Sequence, residues 1–357
     1  MVAQLSIVMN GGRAPNCAFN NNTVFLQHDK RADNNCALRP RAVAAAPKTG
    51  TAPPSSRHRA VGSIVAYVAG RATDRIETKD WLWPAGQVAN AWWSAVGRHL
   101  VRGASLSTVW QTMNRTETLL LSWVTLWGGR LFYRVAERSL KRDHDEPRYE
   151  AARKDSGFWN KALFSVYLPE ALFQTIIALP FTIPFRHQGI GTLLAASPEW
   201  VNAAAVGLFS AGFALEVSAD RQLSQFKETH ANGENTMCKD GVWSIVRHPN
   251  YLGDTLIHFS FPLLLYATGM LSPVELFGPL ANYVFLRYVG GDKENEESQE
   301  DRYLREAPEK KVDLERYRQQ KNSFWPGIRE VNNKWTWVVV GCGVAGAAIE
   351  KFSRVLV

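Results

Sequence analysis

Cysteine is scarce and scattered in this chain. Cys17, Cys36, Cys238 and Cys342 stand far apart, with no C-x-x-C pair and no Cys/His cluster, so neither a zinc site nor a disulfide framework is expected and no metal is assigned. A secretory signal with a compact apolar core is also missing. What is plentiful is aromatic and basic: thirteen Trp and seventeen Phe accompany a net charge of +8. The apolar residues gather into long blocks separated by very polar ones, which is the distribution of a multi-span membrane protein rather than of a typical soluble enzyme.

Residues 1–60 are rich in Asn, Ala, Pro and Arg (RPRAVAAAPKTGTAPPSSRHR) and carry no helical or strand period, so they read as a disordered basic tail. A transit peptide is the alternative; Asp29, Asp33 and the many Asn residues count against it. Residues 61–114 hold weak apolar pieces, IVAYVAG and WLWPAGQVANAWWSAVG, whose Trp residues suit a membrane interface or one poorly marked span. Residues 115–330 form the main transmembrane domain. Its apolar runs at 119–129, 163–185, 200–217, 252–271 and 273–291 are each about one bilayer crossing, except the first, which stops short before Arg130. Only Ser272 and Pro273 join the fourth to the fifth, which requires a tight hairpin. The expected fold is all-α, a multi-span helical membrane protein with a cytosol-facing cofactor cavity, followed by an apolar C-terminal helix in 331–357.

Charge placement orients these spans. The connection from Arg134 to Lys161 also holds Arg138, Lys141, Arg142, Arg148, Arg153 and Lys154, whereas His187 to Glu199 has no Lys or Arg. By the positive-inside rule the first is cytosolic and the second is not. Alternation then places 218–251 and the charged stretch 292–334 on the cytosolic side.

The central cytosolic connection carries the most chemically suggestive residues. Glu216 and Asp220 are one helical turn apart and are followed by Arg221 and Lys227; after a Gly/Asn-rich loop come Arg247, His248, Pro249, Asn250 and Tyr251. Pro249 disfavours helix at His248 and suits the first turn of the next one. In a regular helix Tyr251, Asp254, Thr255 and His258 share one face. Ionisable residues at membrane depth are costly and tend to face a cavity or a partner. Glu170, with Gln174 one turn later, is the deepest such case, and Glu216, Asp254 and His258 are the others. The competing reading gives Glu170 and Glu216 an Arg each to neutralise and makes His258 a hydrogen-bonded structural histidine.

GVWSIVRHPNYLGD, preceded by SADRQLSQFK and followed by KNSFWP, resembles the C-terminal domain shared by steroid 5-alpha-reductases and an uncharacterised branch of membrane proteins beside them. TLWGGRLFYRVAERSLKRDHDEPRY is similar to that branch's Trp-x-x-Arg-Leu segment and its sequel. Related cores occur in sterol reductases and in isoprenylcysteine carboxyl methyltransferases, so the scaffold serves both NADPH-dependent reduction and methyl transfer from S-adenosylmethionine. The resemblance implies that Asp220, Lys227, Arg247, His248, Asn250 and Tyr251 line a cofactor cavity, with Arg134 as a further phosphate contact. Asn250 is the natural partner of a nicotinamide carboxamide. The reductases' early substrate-polarising Glu has no clear counterpart in 61–114, and Glu170 is the substitute considered. Glu294, Glu297 and Glu300 are secondary candidates, because acidic residues near there support the cofactor in the methyltransferases.

The expectation is therefore an NADPH-dependent reductase of an activated C=C bond in a lipid, sterol or terpenoid, with Tyr251, Glu170, Asp254 or His258 supplying the acid. The alternatives are an S-adenosylmethionine-dependent methyltransferase of a lipid-like substrate and a non-catalytic membrane scaffold. A lipid-like small molecule, the membrane and no nucleic acid are the implied partners. If the source is eukaryotic, the endoplasmic reticulum membrane is the implied location. Gly341, Gly343 and Gly346 mimic a dinucleotide-binding G-x-G-x-x-G, but only eleven residues follow, too few for the second strand and acidic residue of that unit. They read instead as small residues of a closely packed helix of about fifteen residues.

Overall fold

The computed structural model describes residues 54–142, 144–186, 198–230, 237–306 and 308–356. The expectation of disorder for 1–53 and the connection 187–197 lie outside them. Among the described residues the regular structure is all helical, with no strand, which makes the protein all-α. Ten α-helices have eight or more residues. They are α1 (Pro54–Thr73), α2 (Thr78–Trp92), α3 (Arg115–Leu140), α4 (Leu168–Ile177), α5 (Glu199–Thr229), α6 (Pro249–Ala267), α7 (Phe277–Val284), α8 (Asp292–Glu306), α9 (Pro308–Gln320) and α10 (Lys334–Leu356). Helix α1 starts within the stretch read as tail, so residues 54–60 are helical rather than disordered.

Helix α5 alone among them is long and apolar enough to cross a membrane. The run at 252–271 is α6, a continuous helix of 19 residues, and the remaining three are built differently from uninterrupted spans, each for a local reason. The run at 119–129 is the middle of α3, which opens on a reciprocal Asn114–Glu117 capping box and continues past Arg130, because Arg130 meets Glu216 and Asp220 on α5. The run at 163–185 breaks into a π-turn at Leu163–Tyr167, α4 and a 3-10 turn at Leu179–Phe181, where Pro180 removes a helical donor. The run at 273–291 opens with a 3-10 turn at Pro273–Leu276, capped by Ser272 and Glu275, and ends in a π-turn at Phe285–Val289 before Gly290. Ser272 thus sits in the turn between α6 and α7, as the two-residue junction requires.

The main core joins α3, α5 and α6 through Leu120, Val124, Trp127, Phe209, Ile257 and Phe261. The crossing of α5 over α6 is closest at Gly212 and Gly253. A Cβ built on Gly212 would lie 2.7 Å from the Gly253 carbonyl, and one on Gly253 would lie 2.6 Å from the Gly212 carbonyl. This backbone contact sets Glu216 and Asp220 of α5 beside Asn250 and Asp254 of α6. Helix α10 packs on the other side of α5, with Gly343 against Gly207 and Ala211, and Gly346 against Ser210. The closing glycines therefore lie inside a continuous helix. It reaches 23 residues rather than about fifteen, because its polar end is held by Glu350 pairing with Arg115 at 3.0 Å and Arg354 at 2.8 Å.

A methyl group at the crossing has nowhere to go. Gly253→Ala should cost about 1–3 kcal/mol as an overpacked site and lower the melting temperature of the purified protein. Gly129→Ala, where a Cβ meets nothing within 4 Å, should be neutral or stabilising by up to about 1 kcal/mol. Equal melting temperatures for the two variants would contradict the close crossing.

Candidate functional site

Two cavities meet at the start of α6. The outer one, about 570 Å³, lies among α5, the 237–251 segment, α8 and α9. Six Arg or Lys side chains line it (Arg138, Arg148, Lys227, Arg247, Arg302 and Lys310) against two carboxylates, Glu146 and Glu296. The inner one, about 190 Å³, is walled by Trp83, Pro84, Leu131 and Phe285, with Asp80, Glu170, Glu216, Asp220 and Asp254 among its polar groups. Asn250 and Tyr251 line both, together with Arg138, Glu146, Arg148 and Asn295. Both volumes are properties of a wall built from the first turn of α6, which Pro249 starts as its N1 residue.

The anticipated site residues divide between these spaces. Lys227, Arg247, His248, Asn250 and Tyr251 face the outer cavity; Arg134, Glu170, Asp220, Asp254, Asn250 and Tyr251 face the inner one. His258 faces neither. It is fully buried among Trp127, Phe181 and Phe261, one turn too deep on the α6 face. Neither of its ring nitrogens has a hydrogen-bond partner, so it is neither placed to meet a substrate nor a satisfied structural histidine.

The carboxylates have partners that sequence spacing does not reveal. Arg130 pairs with Glu216 at 2.7 Å and with Asp220, which agrees with the neutralising role for Glu216 and occupies Asp220. Glu170 meets a lysine rather than an arginine, Lys79 Nζ at 3.2 Å. Asp254 accepts from Trp127 Nε1 at 2.7 Å and from Asn282 Nδ2 at 2.9 Å. Arg134 donates to Ser224 Oγ at 2.6 Å and so stands on the inner wall.

Arg247 and His248 are held by α8. The Arg247 guanidinium meets Glu296 at 2.6 Å and donates to the Lys321 carbonyl, also at 2.6 Å. His248 Nε2 lies 3.1 Å from Asp292 and 3.0 Å from Glu296. Burial alone would push this imidazole down, but the hydrogen bonds with Asp292 and Glu296 outweigh it and hold His248 above its ordinary value. Burial also opposes ionisation of Asp292 and Glu296, yet the His248 hydrogen bond carries both below the usual carboxylate range. These three side chains form the one grouping among the described residues with metal-ligand atoms within 4.8 Å of one another. Arg247, Arg287 and Arg318 already oppose its carboxylates, a balance that gives a further cation little to neutralise.

Glu294 and Glu297 are exposed, and Glu300 pairs with Arg318 at 2.8 Å; the residues of this run that face the site include Asp292, Asn295, Glu296, Gln299 and Arg302. Their i, i+3, i+4, i+7 spacing is a helix face that the sequence displays. Asn295 donates its amide to the Tyr251 hydroxyl. Burial pushes that hydroxyl up to about 12.

Two unsatisfied features are the most informative. Asn250 Oδ1 is buried at the shared wall without a hydrogen-bond partner, a position where the N–H of a ligand would complete it. Lys227, Arg302 and Lys310 make no ion pair among the described residues, although they line the outer cavity. An anionic ligand carrying an amide would satisfy both.

Fold and site together define an all-helical protein in which a basic cavity and a smaller carboxylate-rich one share an Asn-Tyr wall. The chain belongs to the family described as a protein of unknown function (DUF1295), which matches residues 66–319 and so takes in every residue lining these two cavities. No curated protein and no solved structure matches it.

His248 gives this geometry a pH signature. Because the native state holds it protonated above the ~6.5 of a free imidazole, its contribution to stability is complete below that pH and is lost as pH rises through the native value. The stability gap between the wild type and His248→Gln should therefore be widest near pH 6, at about 1–3 kcal/mol, and narrow toward pH 9. A gap that does not change with pH would contradict the assignment.

Proposed function

We propose that this protein is a membrane-embedded, NADPH-dependent reductase of an activated C=C bond in a lipid, sterol or terpenoid. The observation that carries the reading is Asn250 Oδ1, a buried acceptor left open where the two cavities meet. A nicotinamide carboxamide supplies the N–H it lacks. Lys227, Arg302 and Lys310 would hold the phosphates in the outer cavity. When bound, NADPH supplies a hydride equivalent. The inner cavity, with Trp83, Pro84, Leu131 and Phe285 in its wall, offers apolar surface to a lipid substrate.

Tyr251 is the best-placed acid. Its hydroxyl is protonated at neutral pH, faces both cavities and accepts from Asn295, which leaves its O–H to donate to a substrate oxyanion. Asp254 has both oxygens engaged and Glu170 faces Lys79, so they serve better to organise the inner wall than to give up a proton.

The methyltransferase reading fares worse on charge. The outer cavity presents six Arg or Lys side chains and two carboxylates, an environment that attracts phosphates and opposes the sulfonium of S-adenosylmethionine. A scaffold that had lost catalysis would have no use for the open Asn250 acceptor.

The membrane reading rests on α5 and on large apolar side chains that stand exposed, among them Phe164, Leu172, Trp200, Phe277, Ile349 and Phe352. It gains support from the outer cavity, whose walls come from the three connections that charge assigns to one side of the membrane: Arg138 and Arg148, Lys227 and Arg247, Arg302 and Lys310. That side is the cytosol, where NADPH is available.

Purified protein in detergent should bind NADPH saturably and NADH more weakly. Asn250→Ala should weaken NADPH binding at least about tenfold, the equivalent of about 1.4 kcal/mol. Binding of S-adenosylmethionine with no response to NADPH would overturn the reductase reading in favour of methyl transfer.

A further inference from the structure

A third cavity, about 360 Å³, lies between α1 and α2, lined by Gly62, Leu82, Ala85, Gly86 and Ala89, with Arg59 among its polar residues. Its size is within the range of small-molecule sites. Arg59 is only 6% exposed. Its Nη1 donates to Gln174 Oε1 at 3.0 Å and its Nη2 to Gln87 Oε1 at 2.6 Å. With the Asn90 amide turned oxygen-inward, Asn90 Oδ1 accepts from Nε at 3.0 Å. Gln87, Asn90 and Gln174 are themselves buried.

All of these partners are neutral. Among the described residues no carboxylate pairs with Arg59, and Glu170, one turn before Gln174, is taken by Lys79. Three amides orient the guanidinium without neutralising it. A buried charge without a counter-ion is expensive, and proteins tolerate one where a ligand or partner completes it. Glycine keeps the space beside it open, since a Cβ on Gly86 would lie 3.9 Å from Arg59 Nη1. The face of α1 at Val61, Val65 and Val68 is apolar and exposed, a surface suited to contact with lipid chains.

We infer that this cavity binds a single-chain anionic amphiphile, its oxyanion head on Arg59 and its chain along the small-residue wall of α2. The head is a carboxylate, as in a long-chain fatty acid, or the phosphate of a monoacyl lipid, both of which supply the missing charge. The site is separate from the two cavities at Asn250, and Arg59 lies outside the matched family span.

Displacement of a fluorescent polyene fatty acid from the full-length protein in phosphatidylcholine nanodiscs tests this. Palmitate should displace the probe at least about tenfold more tightly than hexadecanol, which has the same chain and no charge. Arg59→Gln should erase that difference. Gly86→Leu, which fills the cavity and leaves the Arg59 charge in place, should abolish probe binding while leaving NADPH binding unchanged. Tighter displacement by lysophosphatidate than by palmitate would support the site and assign the phosphate head. Equal displacement by hexadecanol and palmitate in the wild type, or undiminished probe binding in Gly86→Leu, would overturn the inference.

Discussion

The contact of the α5 and α6 backbones at Gly212 and Gly253 is the constraint from which the rest of the site follows. With no side chain between them, the two helices bring Glu216, Asp220 and Asp254 into one small volume. Like charges so close, in surroundings of low dielectric, would drive the helices apart unless balanced. Arg130 reaches in from α3 to meet Glu216 and Asp220, while Trp127 from the same helix and Asn282 from α7 bond Asp254. Helix α3 can carry two arginines past its apolar run because α5 offers them partners. The glycine contact thus selects the third helix, and the third helix carries a wall of the inner cavity.

A similar balance governs the residues just before the first turn of α6. Arg247 and His248 precede its first turn, and both are tied to α8 through Asp292 and Glu296. Asn250 and Tyr251 emerge between these two ion-paired layers, where the Asn250 Oδ1 acceptor is left without a partner. The result is a wall with an excess of cations on its outer side and, on its inner side, apolar surface beside carboxylates and the Lys and Arg side chains among them. On the proposed reading, that arrangement suits a charged cofactor meeting an apolar substrate at a fixed plane.

The features legible in the sequence were local ones. Pro249 marked the start of α6, the i, i+3, i+4, i+7 spacing put Tyr251 and Asp254 on one face, and the small residues near Gly343 marked a close helix contact. What stayed hidden depends on pairs far apart in the chain. The partner of Glu170 is Lys79, 91 residues away, and no spacing rule connects them. His258 shares the face of Tyr251 in projection but lies beyond the cavity floor, a matter of depth that periodicity does not encode. In the acidic run at 292–300 the resemblance to the methyltransferases pointed to Glu294, Glu297 and Glu300; its helical face would have pointed to Asp292, Asn295 and Glu296. Arg59 fell in a segment whose composition suggested disorder, because one buried arginine does not alter a composition.

The central claim is that the Asn250–Tyr251 wall separates a nucleotide cavity from a substrate cavity. A structure of the protein in a lipid nanodisc with NADPH bound tests it most directly. The account predicts the nicotinamide end at Asn250, where the cavities meet, and the phosphates among Lys227, Arg302 and Lys310. Cofactor located away from Asn250, or none bound at saturating NADPH, would contradict it.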